Sequence, residues 1–391
     1  MMTYDFDKII LRENTSCVKY DLRKEFFGTA SVVPLWVADM DFETPDFIRD
    51  AVIKRASHPV YGYTFRSDSF QRSIINWMGK RHNWEIKKEW VAFSPGVVPA
   101  LNMAVMAFTS PGDKVIVQPP VYFPFFTAVK NHGRQLVYNQ LTEKNGRYEM
   151  DFDDLEQKID EKTKLLLLCH PHNPVGRLWS RTELETLVEI CTRKNILIVS
   201  DEIHSDLMLK GNVHVPLASL SQQAADISLT CIAPSKTFNL AGLATSALII
   251  PNEAHRKVYE KILDDLHVGM GNLFGITSLE AAYDGGEEWL GQLLAYLDQN
   301  LELLNNFIFS RIPGIKVVPA EATYLIWLDF RGLGLKGKEL KEFVIQKAGI
   351  GLNDGPSFGP GGDGFQRINI ALPRKILTEA LEKLERAVKE L

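Results

Sequence analysis

Residues 165–176 read LLLLCHPHNPVG, and residues 196–204 read ILIVSDEIH. Each is a short apolar run that stops abruptly on a polar cluster. Runs this short, bounded by Pro, Asn or Asp, suit strands buried on both faces. The pattern recurs between about residues 90 and 250, in Trp90–Phe93, Val115–Val117, Ile227–Ile232 and Ala247–Ile250. Helical periodicity fills the gaps. Leu101, Ala104, Val105 and Phe108 share one face of 100–108, and Leu184, Leu187, Val188 and Cys191 share one face of 181–194. Alternating β and α elements predict an α/β fold with a mostly parallel central sheet flanked by helices.

Beyond residue 285 the character changes. Residues 289–309 read as one long helix. A strand over 324–329, a helix near 338–348, a strand over 366–370 and a charged final helix follow. This predicts a large domain over 50–285 and a smaller α+β domain built from 1–49 and 286–391. A chain of 391 residues with 45% hydrophobic residues has enough apolar surface for both. No internal repeat or low-complexity linker is evident.

Charge narrows the class. A net charge of −5 gives no basic footprint for nucleic acid or an anionic membrane. No apolar stretch approaches the roughly 18 residues of a membrane span. The four cysteines are far apart, without a CxxC pair, and Cys169 and Cys231 lie inside apolar runs. The N-terminus is acidic where a secretion signal needs a basic start and an apolar run. These features predict a soluble protein of the reducing cytoplasm, without disulfides.

Open α/β sheets bind ligands beyond the carboxyl ends of their strands. Four polar clusters follow the predicted strands: Ser94–Pro99, His170–Gly176, Ser200–His204 and Ala233–Asn239. Gly96, Val97 and Val98 open a helix, where free N–H groups and the dipole suit a phosphate. Lys236 follows a buried strand, where desolvation lowers a lysine toward nucleophilic use. Asp201 ends another strand, and a buried carboxylate needs a cationic or donor partner. A protonated pyridine nitrogen is such a partner. Lysine, acid and phosphate cradle together are what pyridoxal phosphate requires.

The combination of Asn173-Pro-x-Gly176, Asp201-Glu-Ile-His204 and Ser235-Lys236, at intervals of 28 and 35 residues, resembles the fold type I pyridoxal-phosphate enzymes of the aminotransferase superfamily. PLWVADMDF, VYGYT, SPGVVPALN, PHNPVGR, SDEIHSDL, APSKTFNLAGL and GFQRINIA are more narrowly similar to the bacterial cystathionine β-lyase-like C–S lyases. The resemblance spans about residues 34 to 373. It implies that Lys236 links covalently to the cofactor and moves the Cα proton. It places Asp201 at the ring nitrogen, Asn173 at the ring hydroxyl, and Tyr122 stacked on the ring. Val97, Val98 and Ser235 would hold the phosphate. Tyr61 would reach the neighbouring site of a homodimer, Arg367 would bind the substrate carboxylate, and Ala38 would line the pocket. Two positions depart from the wider superfamily. Ala244 stands where many members carry a phosphate-gripping arginine, and His204 stands where a tyrosine is usual. The phosphate would then lean more on backbone amides, Ser235 and Tyr61.

Blander readings exist for each feature. Lys236 alone is a surface charge, Asp201 a helix cap, Asn173 a turn starter, Tyr61 and Tyr122 packing aromatics, and Arg367 a strand-edge cation. His170, His172, His204 and Asp201 invite a metal check, since an H-x-H at a strand end with a distant Asp can bind zinc; but Asp201 is already claimed by the cofactor reading and no third spaced ligand is evident, so no metal is expected. FGPGGDGF (358–365) follows no clear strand of a βαβ unit and reads as a mobile loop or hairpin. The acids of WVADMDF read as part of an N-terminal lid. The resemblance implies β-elimination at sulfur, cleaving cystathionine or other cysteine conjugates to thiol, pyruvate and ammonia. A transaminase shares the early steps and is the alternative. An additional protein-binding, regulatory role is a third.

Overall fold

The computed structural model describes residues 3–144 and 146–391. In chain order the central strands are β1 (Val91–Ser94), β2 (Lys114–Val117), β3 (Gln135–Tyr138), β4 (Thr163–Cys169), β5 (Leu197–Asp201), β6 (Ser228–Ile232) and β7 (Ser246–Ile249). Their spatial order is β1-β7-β6-β5-β4-β2-β3. All run parallel except β7, which is antiparallel to both of its neighbours. Every residue of β6, and of β4 from Leu165 onward, is buried. Helices cover both faces, which is why these runs are apolar without alternation. The expected strands fall within one or two residues of those observed. β3 escapes sequence reading because it lies at the sheet edge, half-exposed, and carries mixed residues.

The helices start where chemistry allows. Helix Arg181–Arg193 opens on a reciprocal capping box between Ser180 and Glu183. Helix Val97–Phe108 opens on Gly96, with no side-chain cap. The first turn of that helix therefore leaves N–H groups for something else.

A second sheet contains β8 (Lys316–Val317), β9 (Leu325–Asp329), β10 (Asn353–Asp354) and β11 (Phe365–Asn369), in the antiparallel order β8-β9-β11-β10. Helix Glu287–Arg311 packs against helix Arg374–Lys389. The expected helix near 338–348 is a short α-helix, Gly337–Glu342, continued by a π-turn over Phe343–Lys347. The glycine-rich segment 358–365 closes the hairpin between β10 and β11. Gly355 lies so close to Gly362 that a Cβ would fall 1.9 Å from its carbonyl oxygen.

The N-terminal segment is stitched to both sheets, rather than to the smaller one alone. Val33–Pro34 pairs in parallel with Ile350–Gly351. Asn369 Nδ2 donates to the carbonyls of Val37 (2.7 Å) and Asp39 (2.6 Å). Asn239, three residues after Lys236, donates to the carbonyls of Met40 (3.0 Å) and Phe42 (3.1 Å). Helix Asp46–Ala56 runs across residue 50, where the large domain was expected to begin.

Arg177 ties the loop after Asn173 to the smaller sheet. Its Nη2 meets both carboxylate oxygens of Glu183 at 2.9 and 3.0 Å, its Nε donates to the Tyr148 carbonyl at 2.8 Å, and its Nη1 pairs with Glu321. The arginine side chain is buried. Removing it leaves Glu321 with Arg147 and the Leu178 amide and Glu183 with Ser180, but it loses the buried packing and the charge-assisted bonds, so Arg177→Ala is expected to lose about 2 kcal/mol of stability, read by urea denaturation. A loss within the error of the unfolding fit would show that the clamp is not structural.

Candidate active site

The carboxyl ends of β1, β4, β5 and β6 meet at a cavity of about 230 Å³. Ala38, Gly96, Val97, Val98, Tyr122, Asn173, Asp201, His204, Ser235 and Lys236 all line it. The fold therefore brings together ten of the twelve residues singled out in the sequence. Arg367 stands directly behind Asn173, and only Tyr61 lies apart.

Lys236 sits in the short helix Pro234–Thr237 that follows β6. Its Nζ donates to the carbonyl oxygen of Ala38 at 2.7 Å. The amine is lowered to about 8, chiefly by burial, with Asp39 opposing, Arg367 adding to the lowering and Asp201 opposing. Asp201 ends β5 between Cys169 on β4 and Cys231 on β6. Its Oδ1 accepts from the Ile203 amide at 3.1 Å. Burial pushes this carboxyl up to about 7, against the Ile203 amide and Lys236. A carboxylate this enclosed, with a single backbone donor, fits a cation delivered by a ligand.

Asn173 Oδ1 accepts from Arg367 Nη1 at 2.9 Å. That leaves the Asn173 amide N–H groups for the cavity. The Asn173 carbonyl also accepts from the Tyr122 amide at 3.2 Å, which fixes the tyrosine beside it. His204 is buried, its Nδ1 is without a partner, and burial drives its ring well below the usual imidazole range. Ala244 lines the cavity in a left-handed conformation with φ 44°.

Arg367 lies inside β11, paired with Trp327 on one side and Asn353 on the other. It is therefore central in its sheet, not at an edge. Its Nη2 donates to the Trp36 carbonyl (3.0 Å) and to Asn353 Oδ1 (2.6 Å), and its guanidinium lies 5.0 Å over Phe358. Burial lowers it to about 10, so it stays cationic at neutral pH. Among the described residues its hydrogen-bond partners are amide and carbonyl oxygens, none a carboxylate, and its buried Nε has no hydrogen-bond partner. A buried guanidinium in that state fits a carboxylate brought by a ligand.

Tyr61 is exposed, and its hydroxyl donates to the Ala56 carbonyl at 2.5 Å. Within one chain it does not reach the cavity. Its neighbours Val60, Tyr63 and Phe65 are exposed too. His170 and His172 are buried and bonded to the carbonyls of Val215 and Pro120. Among the described residues no group of three or more His, Cys, Asp or Glu side chains could hold a metal ion.

Several site residues were not visible in the sequence. Thr245 and Cys169 line the cavity. Asn353 and the Trp36 carbonyl hold Arg367, and Tyr324 Oη donates to the Ala38 carbonyl at 3.1 Å. None follows a strand in the way that marked the others.

The chain matches the family model of aminotransferase class I and II over residues 30–384. It is 46% identical over 385 residues to cystathionine beta-lyase PatB of Bacillus subtilis (strain 168), covering 98% of this chain and 100% of the relative. It is similar in structure to cystalysin of Treponema denticola, which contains a pyridoxal 5'-phosphate cofactor. That match has a TM-score of 0.95 and 40% identity, and covers 100% of both chains. The pyridoxal-phosphate-bound C–S lyase of Staphylococcus hominis matches with a TM-score of 0.92 and 34% identity, over 99% of this chain and 98% of the other.

Proposed function

The chain belongs to aminotransferase class I and II, and from that membership and the geometry of its cavity we propose that it is a pyridoxal-phosphate-dependent carbon–sulfur β-lyase. Its substrates are cystathionine or other cysteine S-conjugates, and its products are a thiol, pyruvate and ammonia. The observation that carries this is one cavity holding a lysine amine and an under-partnered carboxyl, with a carboxylate-free arginine behind it.

Bound pyridoxal phosphate supplies an electron sink that acidifies the Cα–H bond of an attached amino acid and lets a group leave from Cβ. The chain's residues do the rest. Lys236 would hold the cofactor covalently, and its free amine would accept the Cα proton on Nζ. A lysine near 8 has a usable neutral fraction at physiological pH. Asp201 would face the ring nitrogen and keep it protonated. Asn173 would donate its amide to the ring oxygen, with His204 beside it, and Tyr122 would cover one ring face. The amides of Val97 and Val98 and the Ser235 hydroxyl would hold the phosphate at the helix N-terminus that Gly96 opens. Ala244 supplies no cation there.

Arg367 orients the substrate through its carboxylate. Lysine cannot reproduce the bidentate fork. Arg367→Lys is therefore expected to raise KM for L-cystathionine about tenfold to a hundredfold while kcat changes less than about threefold. Steady-state kinetics check this, and an unchanged KM would remove Arg367 from substrate binding.

The protein is a homodimer in this reading, with Tyr61 reaching the partner's phosphate. Support comes from the exposed apolar arm around it, in which Tyr63 is 98% exposed. The four free cysteines accord with a reducing cytoplasm.

The deciding experiment incubates the loaded protein with L-cystathionine and no added 2-oxo acid. Equal amounts of pyruvate, ammonia and homocysteine are expected. A protein that yields no pyruvate from any cysteine conjugate, but transfers the amino group once a 2-oxo acid is present, is a transaminase.

A further inference from the structure

Two donors converge on one oxygen beside the cavity. Lys236 Nζ donates to the Ala38 carbonyl at 2.7 Å, and Tyr324 Oη donates to the same carbonyl at 3.1 Å. That carbonyl is held in place from both sides. Asn369 bonds the carbonyls of Val37 and Asp39, and Asn239 Oδ1 accepts from the Met40 amide at 3.0 Å. Tyr324 is equally fixed. It is fully buried, its ring stands edge-on to His204 at 6.1 Å, and its carbonyl accepts from the Ile370 amide at 2.9 Å.

A carbonyl oxygen has two lone pairs but one partial negative charge. A second donor draws on the same charge and leaves each bond weaker. The stakes lie with Lys236, whose ammonium form needs acceptors in a buried place. The charged groups that face it are Asp39 and Asp201, which favour the ammonium, and Arg367, which disfavours it. His204 stays neutral beside them. The Tyr324 hydroxyl keeps its proton, because burial and Asp39 raise it, and so it acts as a donor throughout the working range.

We propose that Tyr324 is a positioning residue for Lys236: by occupying one lone pair of the Ala38 carbonyl, its hydroxyl weakens the bond offered to the ammonium and enlarges the neutral, proton-accepting fraction of the amine. This rests on Lys236 being the base that takes the Cα proton.

The test uses the full chain in two states. In the cofactor-free chain, the pH dependence of Lys236 labelling by an amine reagent, read by peptide mass spectrometry, gives the midpoint of the amine. Tyr324→Phe is expected to raise that midpoint by about half a unit to one unit. In the loaded enzyme the same variant is expected to be about threefold to tenfold slower at pH 7, and to catch up as the pH rises. A purely structural role would slow the reaction at every pH and leave the midpoint alone. Site-specific 3-fluorotyrosine at position 324, a stronger donor of nearly the same size, should lower the midpoint. It also serves as the test if Tyr324→Phe does not fold. A midpoint that stays or falls in folded Tyr324→Phe, or stays or rises with fluorotyrosine, overturns the proposal. If the unsubstituted protein carries no cofactor on Lys236, it is the assignment of the lysine that fails. A normal cofactor link with an unmoved midpoint refutes Tyr324 alone.

Discussion

Lys236→Ala is expected to release pyruvate from L-cystathionine at least about a thousandfold more slowly than the unsubstituted protein. The substitution removes both the covalent hold on the cofactor and the group that moves the Cα proton, so no partial substitute remains at that atom. The loss should not come from misfolding. Lys236 makes one hydrogen bond, to Ala38, and that carbonyl keeps Tyr324 as a donor. Circular dichroism and thermal unfolding should therefore match the parent, while a coupled pyruvate assay shows the loss. Activity within tenfold of the parent would place the base elsewhere.

Asp201→Asn is expected to lower kcat/KM by about a hundredfold or more, roughly 3 kcal/mol of transition-state stabilisation. The amide fits the same space and can still accept from the Ile203 amide, so the fold of β5 is preserved. It cannot supply the charge that keeps a pyridine nitrogen protonated. The visible band of the bound cofactor should move with the loss of that proton, which separates an electronic effect from a packing one. An unchanged band and rate would mean that the ring nitrogen does not face Asp201.

Much of this site could be read before folding because parallel strands share a direction. The four polar clusters that follow parallel strands arrive at the same sheet edge, so Gly96, Asn173, Asp201 and Lys236 converge without any side-chain detail. Residues whose roles depend on a long-range crossing were not legible in that way. Tyr324 precedes β9 rather than following a strand, and it matters only because the N-terminal segment lays Ala38 across Lys236. That path is set by Asn239 and Asn369, which lie inside the quoted motifs APSKTFNLAGL and GFQRINIA but whose long-range bonds to residues 37–42 no local pattern reveals. β3 was missed for a different reason: an edge strand keeps one side in water, and its residues need not be apolar. For Arg367 the blander strand-edge reading stood beside the carboxylate-binding one because the sequence does not reveal that β10 covers its outer side.

The central claim is that Lys236 is the residue bonded to the cofactor. The most direct measurement reduces the loaded, unsubstituted protein with borohydride, digests it and maps the pyridoxyl label by mass spectrometry. The account predicts one labelled peptide, with the label on Lys236. A label on any other lysine, or none on a protein that still turns over substrate, would contradict it.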